Sequence, residues 1–467
     1  MKNFYLKLTT VKKCFVLTLF ATCLFYSCDS FTEVERPDSQ LTTVTVFSDD
    51  ATADAAMTNI YANLRDQGIL TGTPIGISQN LGTYADELNY YGSNTNAAFY
   101  FFNNALLPAD VYVAEYWNRS YAQIYAANAV LEGVRSSEML STQTVSRLEG
   151  EALFIRALIH FYLVNLFGDV PYITTTDYRV NSIVHRMPRS AYYEQLIIDL
   201  QNAATLLSEN YYTSGRTRPN KSAAYALLSR VLLYNGQWAE ASNAASAVLN
   251  TTGLYGDEMN LSATFLNSSP ETIWQLPPAL AGAGTNMANT FTILAAPPGS
   301  IALAQQLLQK FNDADLRKSA WIDQVTDGTT VWYYASKYKQ TVTEASSSEF
   351  EIVLRLPEQL LIRSEARAQQ GELAGAIEDL DRVRQRAGLP GTVAVSQEAI
   401  LSEIRDERAR ELFTEYGHRF LDLKRWNQLD LILSPVKMGW QSTDALLPVP
   451  LIELSSNPNL LPQNPGY

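Results

Sequence analysis

The sequence predicts a mainly α protein, a helical-repeat superhelix of about four helix pairs with long irregular loops and a few short strands. Three observations predict it. First, apolar residues recur at intervals of three and four over long stretches, most clearly from Leu148 to Phe167. Second, two segments repeat one another: Ala224–Leu249 and Leu360–Arg384 each read as helix, glycine turn, helix, around Gly236 and Gly371. Counted from each glycine, Ala239 and Ala374, Ala241 and Ala376, and Val248 and Val383 coincide. Small residues at such points let antiparallel helices approach closely, as in tetratricopeptide-like pairs. Third, the periodic segments are interrupted by two stretches that lack helical period but are dense in aromatic rings.

At 467 residues the chain can bury a large core, and its formal charge of −13 argues against a nucleic-acid partner. All three cysteines, Cys14, Cys23 and Cys28, fall at the N-terminus, so the rest of the chain has no disulfide framework. Lys2, Lys7, Lys12 and Lys13 precede an apolar run, Cys14 to Tyr26, too short for an ordinary spanning helix. Ser27-Cys28 then places a small residue directly before a cysteine, as in a lipoprotein processing site. Residues 1–27 therefore read as a lipoprotein signal peptide and Cys28 as the lipidated first residue of the mature chain, with a simple secretory signal as the alternative. Residues 28–46, polar and rich in Thr, Ser and acids, read as a tether.

Ser48 or Asp49 can cap a first helix running through Ile60 and Leu64 and ending before Gly68. From Gly68 to Asp110 glycines and asparagines alternate with Tyr84, Tyr90, Tyr91, Phe99, Tyr100, Phe101 and Phe102. Seven aromatics fit disorder poorly, so this stretch reads as a functional loop. Helical spacing resumes with Trp117, Tyr121, Ile124, Tyr125, Asn128 and Leu131; Gly168 and Pro171 stop the next helix. Within it, Arg156 and His160 lack an arranged acid partner in the sequence and read as packing residues. Glu271 to Leu276 alternates like a short strand, and Ala279 to Ser300, with Asn286 and Asn289, reads as loop. Trp321, Trp332, Tyr333, Tyr334 and Tyr338 follow around an Asp327-Gly328 break. The main chain thus divides into an N-terminal part, 47–270, and a C-terminal part, 271–467, ending in a proline-punctuated tail.

The stretch around which the chain is organised runs from Ile404 to Trp426. It reads as two helices separated by Gly417, with Ile404, Arg408, Leu412 and Tyr416 on one face. A cation among apolar residues needs a partner, and Glu411, three residues on, is expected to serve Arg408. Arg419, Asp422 and Arg425 repeat the three-residue spacing. Charges at this spacing lock helix packing, so the stretch reads as scaffold rather than active site.

The order Glu407-Arg408 … Glu411-Leu412 … Gly417 … Arg419 … Asp422-Leu423 … Arg425-Trp426 resembles the signature ERxxEL…EGxRxxDLxRW of the SusD/RagB family, surface nutrient-binding lipoproteins of Bacteroidetes. Tyr416 stands where the family has a Glu, which is displaced to Glu415. Gly150 to Pro171 resembles the family's GEAxxxRAxxYFxLVxxxGDVP block, and the tail its LLPIPxxE…NPxLxQNPGY ending. The resemblance implies a lid-like protein at the cell surface, held to the outer membrane by its lipid anchor. It further implies that the protein captures oligosaccharide for a SusC-like TonB-dependent transporter; some members bind peptides instead.

Catalytic and metal signatures are missing from the sequence. Only His160, His185 and His418 are present, with no cysteine beyond Cys28, no Gly-x-Ser-x-Gly elbow and no phosphate-binding loop. Asp86-Glu87 is the one conceivable pair for glycoside cleavage, but it reads more readily as a sugar-hydroxyl acceptor or surface charge. The sequence therefore points to a binder without cofactor (bound calcium left open). Its ligand residues are expected among Tyr84, Tyr90, Tyr91, Asn94, Asn286, Trp332 and Tyr333, types that stack on sugar faces and hydrogen-bond hydroxyls.

Overall fold

The computed structural model describes residues 43–467; Cys28, with the expected signal peptide and most of the tether, lies outside them. Thr43–Val46 forms one helical turn, and Phe47–Tyr467 packs as a single unit. Helix α1 (Asp50–Asp66) is capped by Asp49, whose carboxylate accepts from the amides of Ala51 and Thr52. Two short helices follow, α2 (Ile77–Tyr84) and α3 (Ala97–Phe102). Eight longer helices then build the scaffold: α4 (Val111–Ser136), α5 (Thr142–Phe167), α6 (Arg189–Leu206), α7 (Lys221–Tyr234), α8 (Trp238–Leu249), α9 (Leu356–Gln369), α10 (Leu373–Arg386) and α11 (Gln397–Glu411). Each packs on its chain neighbours, giving the four antiparallel pairs read from the sequence. Helix α12 (His418–Arg425) closes the array behind the left-handed Gly417 (φ 72°).

The internal repeat has a direct physical basis. Gly236 (φ 74°) and Gly371 (φ 81°) occupy matching left-handed turns. Ala241, Ala376, Val248 and Val383 are buried between the helices. Ala239 and Ala374 are exposed, so that coincidence reflects no packing. Helix α5 is long and apolar enough to cross a membrane, yet its apolar window is wholly buried, which makes it the core helix of the array. Arg156 does have an acid partner: it forms a two-pronged pair with Asp199 of α6 at 2.7 and 2.8 Å. His160, buried against Tyr192 and stacked on Tyr172 with 4.0 Å between ring centroids, is held neutral by burial and by Arg156.

Strand content sits in two insertions. The first, between α1 and α4, contains α2, β1 (Leu88–Tyr90) and α3. The second, between α8 and α9, contains β2 (Thr272–Leu276), β3 (Ile301–Leu303), β4 (Ile322–Thr326), β5 (Val331–Ala335) and β6 (Glu351–Arg355). Antiparallel pairing joins β2 to β6 and β4 to β5, while β1 of the first insertion pairs with β3 of the second. The stretch 68–110 is thus more ordered than its sequence suggests: Ile77–Tyr84 is entirely buried.

The organising stretch is scaffold with different partners from those its spacing predicted. Arg408 is paired not with Glu411 but with Asp422 across the Gly417 turn, at 2.7 and 3.1 Å. Glu411 instead receives the guanidiniums of Arg317, Arg355 and Arg386, all buried and all from other elements. Helical spacing reveals which charges share a face, not which distant element meets them. Burial raises the Glu411 pKa, but the three guanidiniums more than reverse this and hold it well below the usual range. Arg408→Ala is expected to cost about 3 kcal/mol, because Asp422 retains Arg425. Glu411→Ala should cost more, about 4–5 kcal/mol, because three buried guanidiniums lose a shared acid at once, although Arg317 keeps Asp315 and Glu407, Arg355 keeps Glu415 and Arg386 keeps Glu271. Urea unfolding of both variants checks this ranking.

Candidate functional site

The β1–β3 pairing brings the two aromatic insertions together. Tyr90 is opposite Ile301, the Tyr91 amide donates to the Ser300 carbonyl at 2.7 Å, and β3 packs on β5, the strand carrying Trp332. Successive side chains of an extended segment alternate in direction, so neighbouring rings divide between two tasks. Tyr90 is half-buried; its ring meets Phe99 edge-on at 6.4 Å and its hydroxyl donates to the Ser93 carbonyl at 2.8 Å. Gly92 makes this possible, since a Cβ there would lie 2.5 Å from the Tyr90 hydroxyl. Tyr91 is 46% exposed, and Asn94 is exposed on the following turn. Tyr90 supports the loop and Tyr91 is the ring it presents.

The β4–β5 hairpin divides its rings in the same way. Trp332 lies opposite Val325 and Tyr334 opposite Asp323, to which its hydroxyl donates at 3.3 Å. Tyr333, opposite Gln324, projects from the other face of the two-residue period. Trp332 and Tyr333, expected in one site, therefore cannot both face the same ligand. Trp332 shares its face with Tyr334. All three rings are half-buried.

One expected ligand residue is taken up by the fold and another, half-buried, is partly engaged by it. Tyr84 is fully buried among Phe101, Phe420 and Trp440, and its hydroxyl donates to the Asp444 carbonyl at 3.1 Å. Its burial follows from α2, a helix no periodicity in that glycine-rich stretch announced. Asn286 is the first residue of the short helix Asn286–Phe291, and its amide donates to the Arg65 carbonyl at 3.2 Å. Asp86 and Glu87 are also buried, so they offer neither an accessible acid pair nor surface charge. Asp86 forms a two-pronged pair with Arg419 at 2.7 Å, while Glu87 accepts from the Thr414 amide at 3.2 Å. Burial, reinforced by Asp86, raises the Glu87 pKa to about 8.

The sequence named Tyr100 among the loop aromatics but not as a ligand residue, and it gave no role to Tyr112. Their rings lie 6.4 Å apart, and the Tyr112 hydroxyl donates to the Thr95 carbonyl at 3.1 Å, which fastens the presented turn to α4. The signal was slight: Tyr112, four residues before Tyr116, falls at the edge of the buried stripe of α4 that Val113, Tyr116, Trp117, Ser120 and Ile124 define. Among the described residues, no group of three or more His, Cys, Asp or Glu side chains is placed to hold a metal ion.

A superhelix of helix pairs whose two aromatic insertions meet on a sheet-bridged face defines the class of protein. Comparison with known families makes the assignment specific. A family model described as starch-binding associating with outer membrane matches residues 31–233, and the SusD family model matches residues 282–444. The chain belongs to the SusD/RagB family. SusD-like protein P25 of Formosa agariphila is 25% identical, covering 95% of this chain and 97% of that one. SusD-like protein P2 of the same organism is 26% identical over 76% of this chain and 81% of its own length. Among solved structures, a SusD superfamily protein from Bacteroides vulgatus superposes with a TM-score of 0.77 at 21% identity, covering 91% of this chain and 100% of that one. A laminarin binding SusD-like protein gives a TM-score of 0.75 at 25% identity, covering 89% and 99% of the two chains.

Glu351, at the start of β6, yields a pH prediction. Its carboxylate accepts from the Met287 amide at 3.1 Å, its second oxygen has no partner, and burial raises its pKa to about 7. The unfolded chain ionises near 4.5 whereas the native carboxyl keeps its proton to about 7, so this residue's contribution to stability falls across that window and then levels off. Glu351→Gln, neutral throughout, should match wild type below the window and exceed it above pH 7 by on the order of 3 kcal/mol. Thermal melts at pH 4 and pH 8 measure the difference.

Proposed function

We propose that this protein is a non-catalytic glycan-binding lipoprotein of the outer-membrane surface, which captures oligosaccharide on its aromatic face and delivers it to a SusC-like TonB-dependent transporter. The observation that supports the reading is that β1, which leads into Tyr91 and Asn94, pairs with β3, and β3 packs on β5, the strand that carries Trp332 and Tyr334. Sugars present apolar C–H faces and rings of hydroxyls, which such side chains stack against and hydrogen-bond. The family model's association with starch and the outer membrane, and a laminarin-binding relative of the same fold, support a carbohydrate ligand. Glycoside cleavage by Asp86-Glu87 is disfavoured, because both carboxyls are committed to buried structural partners. Lipidation at Cys28 supplies the membrane attachment.

Laminarin and soluble starch are the first ligands to test by calorimetry. Tyr91→Ala and Trp332→Ala should each weaken binding by about 1–3 kcal/mol, the range for removing one stacking ring. The melting temperature of Tyr91→Ala should stay near wild type, since Tyr91 contributes little to the core, while Trp332→Ala, at a half-buried ring, should show a small drop. Two variants that bind normally would remove the site from this face. Cys28→Ser should release the protein from membranes with its fold intact, and equal incorporation of labelled palmitate into wild type and variant would refute the anchor.

A further inference from the structure

Helix α4 carries Trp117, Tyr121 and Tyr125 at intervals of four, one stripe of its surface. Helical spacing alone would send the whole stripe inward, but only Trp117 is buried. Tyr121 is half-buried and Tyr125 is 54% exposed. These rings line a half-open cavity of ≈ 370 Å³ whose lining also includes Asn118, Asn181 and Glu453. The rings are held in place from behind. Trp117 stands edge-on to Phe167 at 5.3 Å and lies 5.0 Å from Tyr121, whose hydroxyl donates to the Pro171 carbonyl at 2.9 Å.

Glu453 gives the cavity its polar character. Burial raises its carboxyl pKa, the Trp117 indole opposes the rise, and no cation contributes. The neighbouring Arg186 is spent on the Asp169 and Pro462 carbonyls and the Asn464 side chain. A carboxylate partly removed from water, with the Trp117 indole beside it and no cation against it, keeps acceptor capacity for further neutral donors. Hydroxyl pairs supply these without bringing charge. A cation would favour an enclosing cage of rings, whereas three rings on one helix stripe form a wall. Asn118 adds a group that both donates and accepts, and Asn181, whose amide donates to the Thr175 carbonyl at 2.8 Å, adds its side-chain oxygen as an acceptor.

We propose that this cavity is a second carbohydrate subsite, taking one or two units of a neutral glycan with Tyr121 and Tyr125 as its stacking wall and Glu453, Asn118 and Asn181 as its hydroxyl partners. It is separate from the aromatic face. Tyr112, which fastens that face, precedes Tyr121 by about two and a half helical turns, which puts the two on opposite sides of α4. The subsite rests on its own residues and not on the loop reading.

The test uses the protein carrying Tyr91→Ala and Trp332→Ala, probed with maltotriose and laminaritriose by saturation-transfer NMR, with tetramethylammonium as the competing cation. Saturation transfer to at least one trisaccharide should persist in this background with millimolar affinity. Adding Tyr125→Ala or Glu453→Gln should weaken it about tenfold without lowering the melting temperature. Three outcomes would overturn the proposal: no transfer to either sugar, transfer unaffected by both added substitutions, or displacement of the sugar by tetramethylammonium. The loop reading fails on a different result, unchanged polysaccharide affinity on introducing Tyr91→Ala and Trp332→Ala.

Discussion

The carboxylate of Glu411 is the point on which the structure depends. It draws Arg317 from the second insertion, Arg355 from β6 and Arg386 from α10 onto one buried acid, and its backbone carbonyl accepts from Arg355 and Lys337. Glu415 receives the same Arg355 and Lys337 at 2.8 and 2.5 Å. Charges buried this deeply cost free energy unless geometry and hydrogen bonding are nearly complete, so a network of this kind selects one arrangement more than it adds stability. Burial, reinforced by Arg355, lowers the Lys337 pKa to about 8 even with Glu415 in contact.

The network links scaffold to site. Lys337 lies two residues beyond β5, so its attachment to Glu415 fixes the end of the hairpin that carries Trp332. Arg419 holds Asp86, and the Thr414 amide holds Glu87, directly before β1 and Tyr91. The Tyr416 amide donates to Ser78 at 2.9 Å, and Gly417 leaves room for Leu81, securing α2 to the same stretch. One short segment near the C-terminus thereby positions both aromatic insertions, whose rings Tyr91 and Trp332 are 241 residues apart in sequence. A binding face on loops needs a rigid support of this sort if its rings are to be ordered before ligand arrives.

Much of this was legible in the sequence and part was not, for identifiable reasons. Helical period and the matched glycine turns revealed the superhelix, because those signals depend only on neighbours in the chain. The partners of Arg408 and Glu411 escaped because they come from elements far apart in sequence, where spacing carries no information. Tyr84 was misplaced because α2 is short, begins after Gly76, contains Gly82 and is buried on every side, leaving no amphipathic pattern to read. Two-residue alternation separates Tyr91 from Tyr90 and Trp332 from Tyr333, but it applies only once a segment is known to be extended, and in both stretches strand character emerged only from pairing.

The measurement that bears most directly on this account is native-state hydrogen exchange in Arg419→Gln, which cuts the tie to Asp86 while leaving Glu411 and its guanidiniums intact. The account predicts faster exchange confined to residues 84–96, with the amides of α5 and α9 as protected as in wild type. Unchanged protection in residues 84–96, or an even loss across the whole chain, would contradict the claim that this charged segment holds the aromatic face in place.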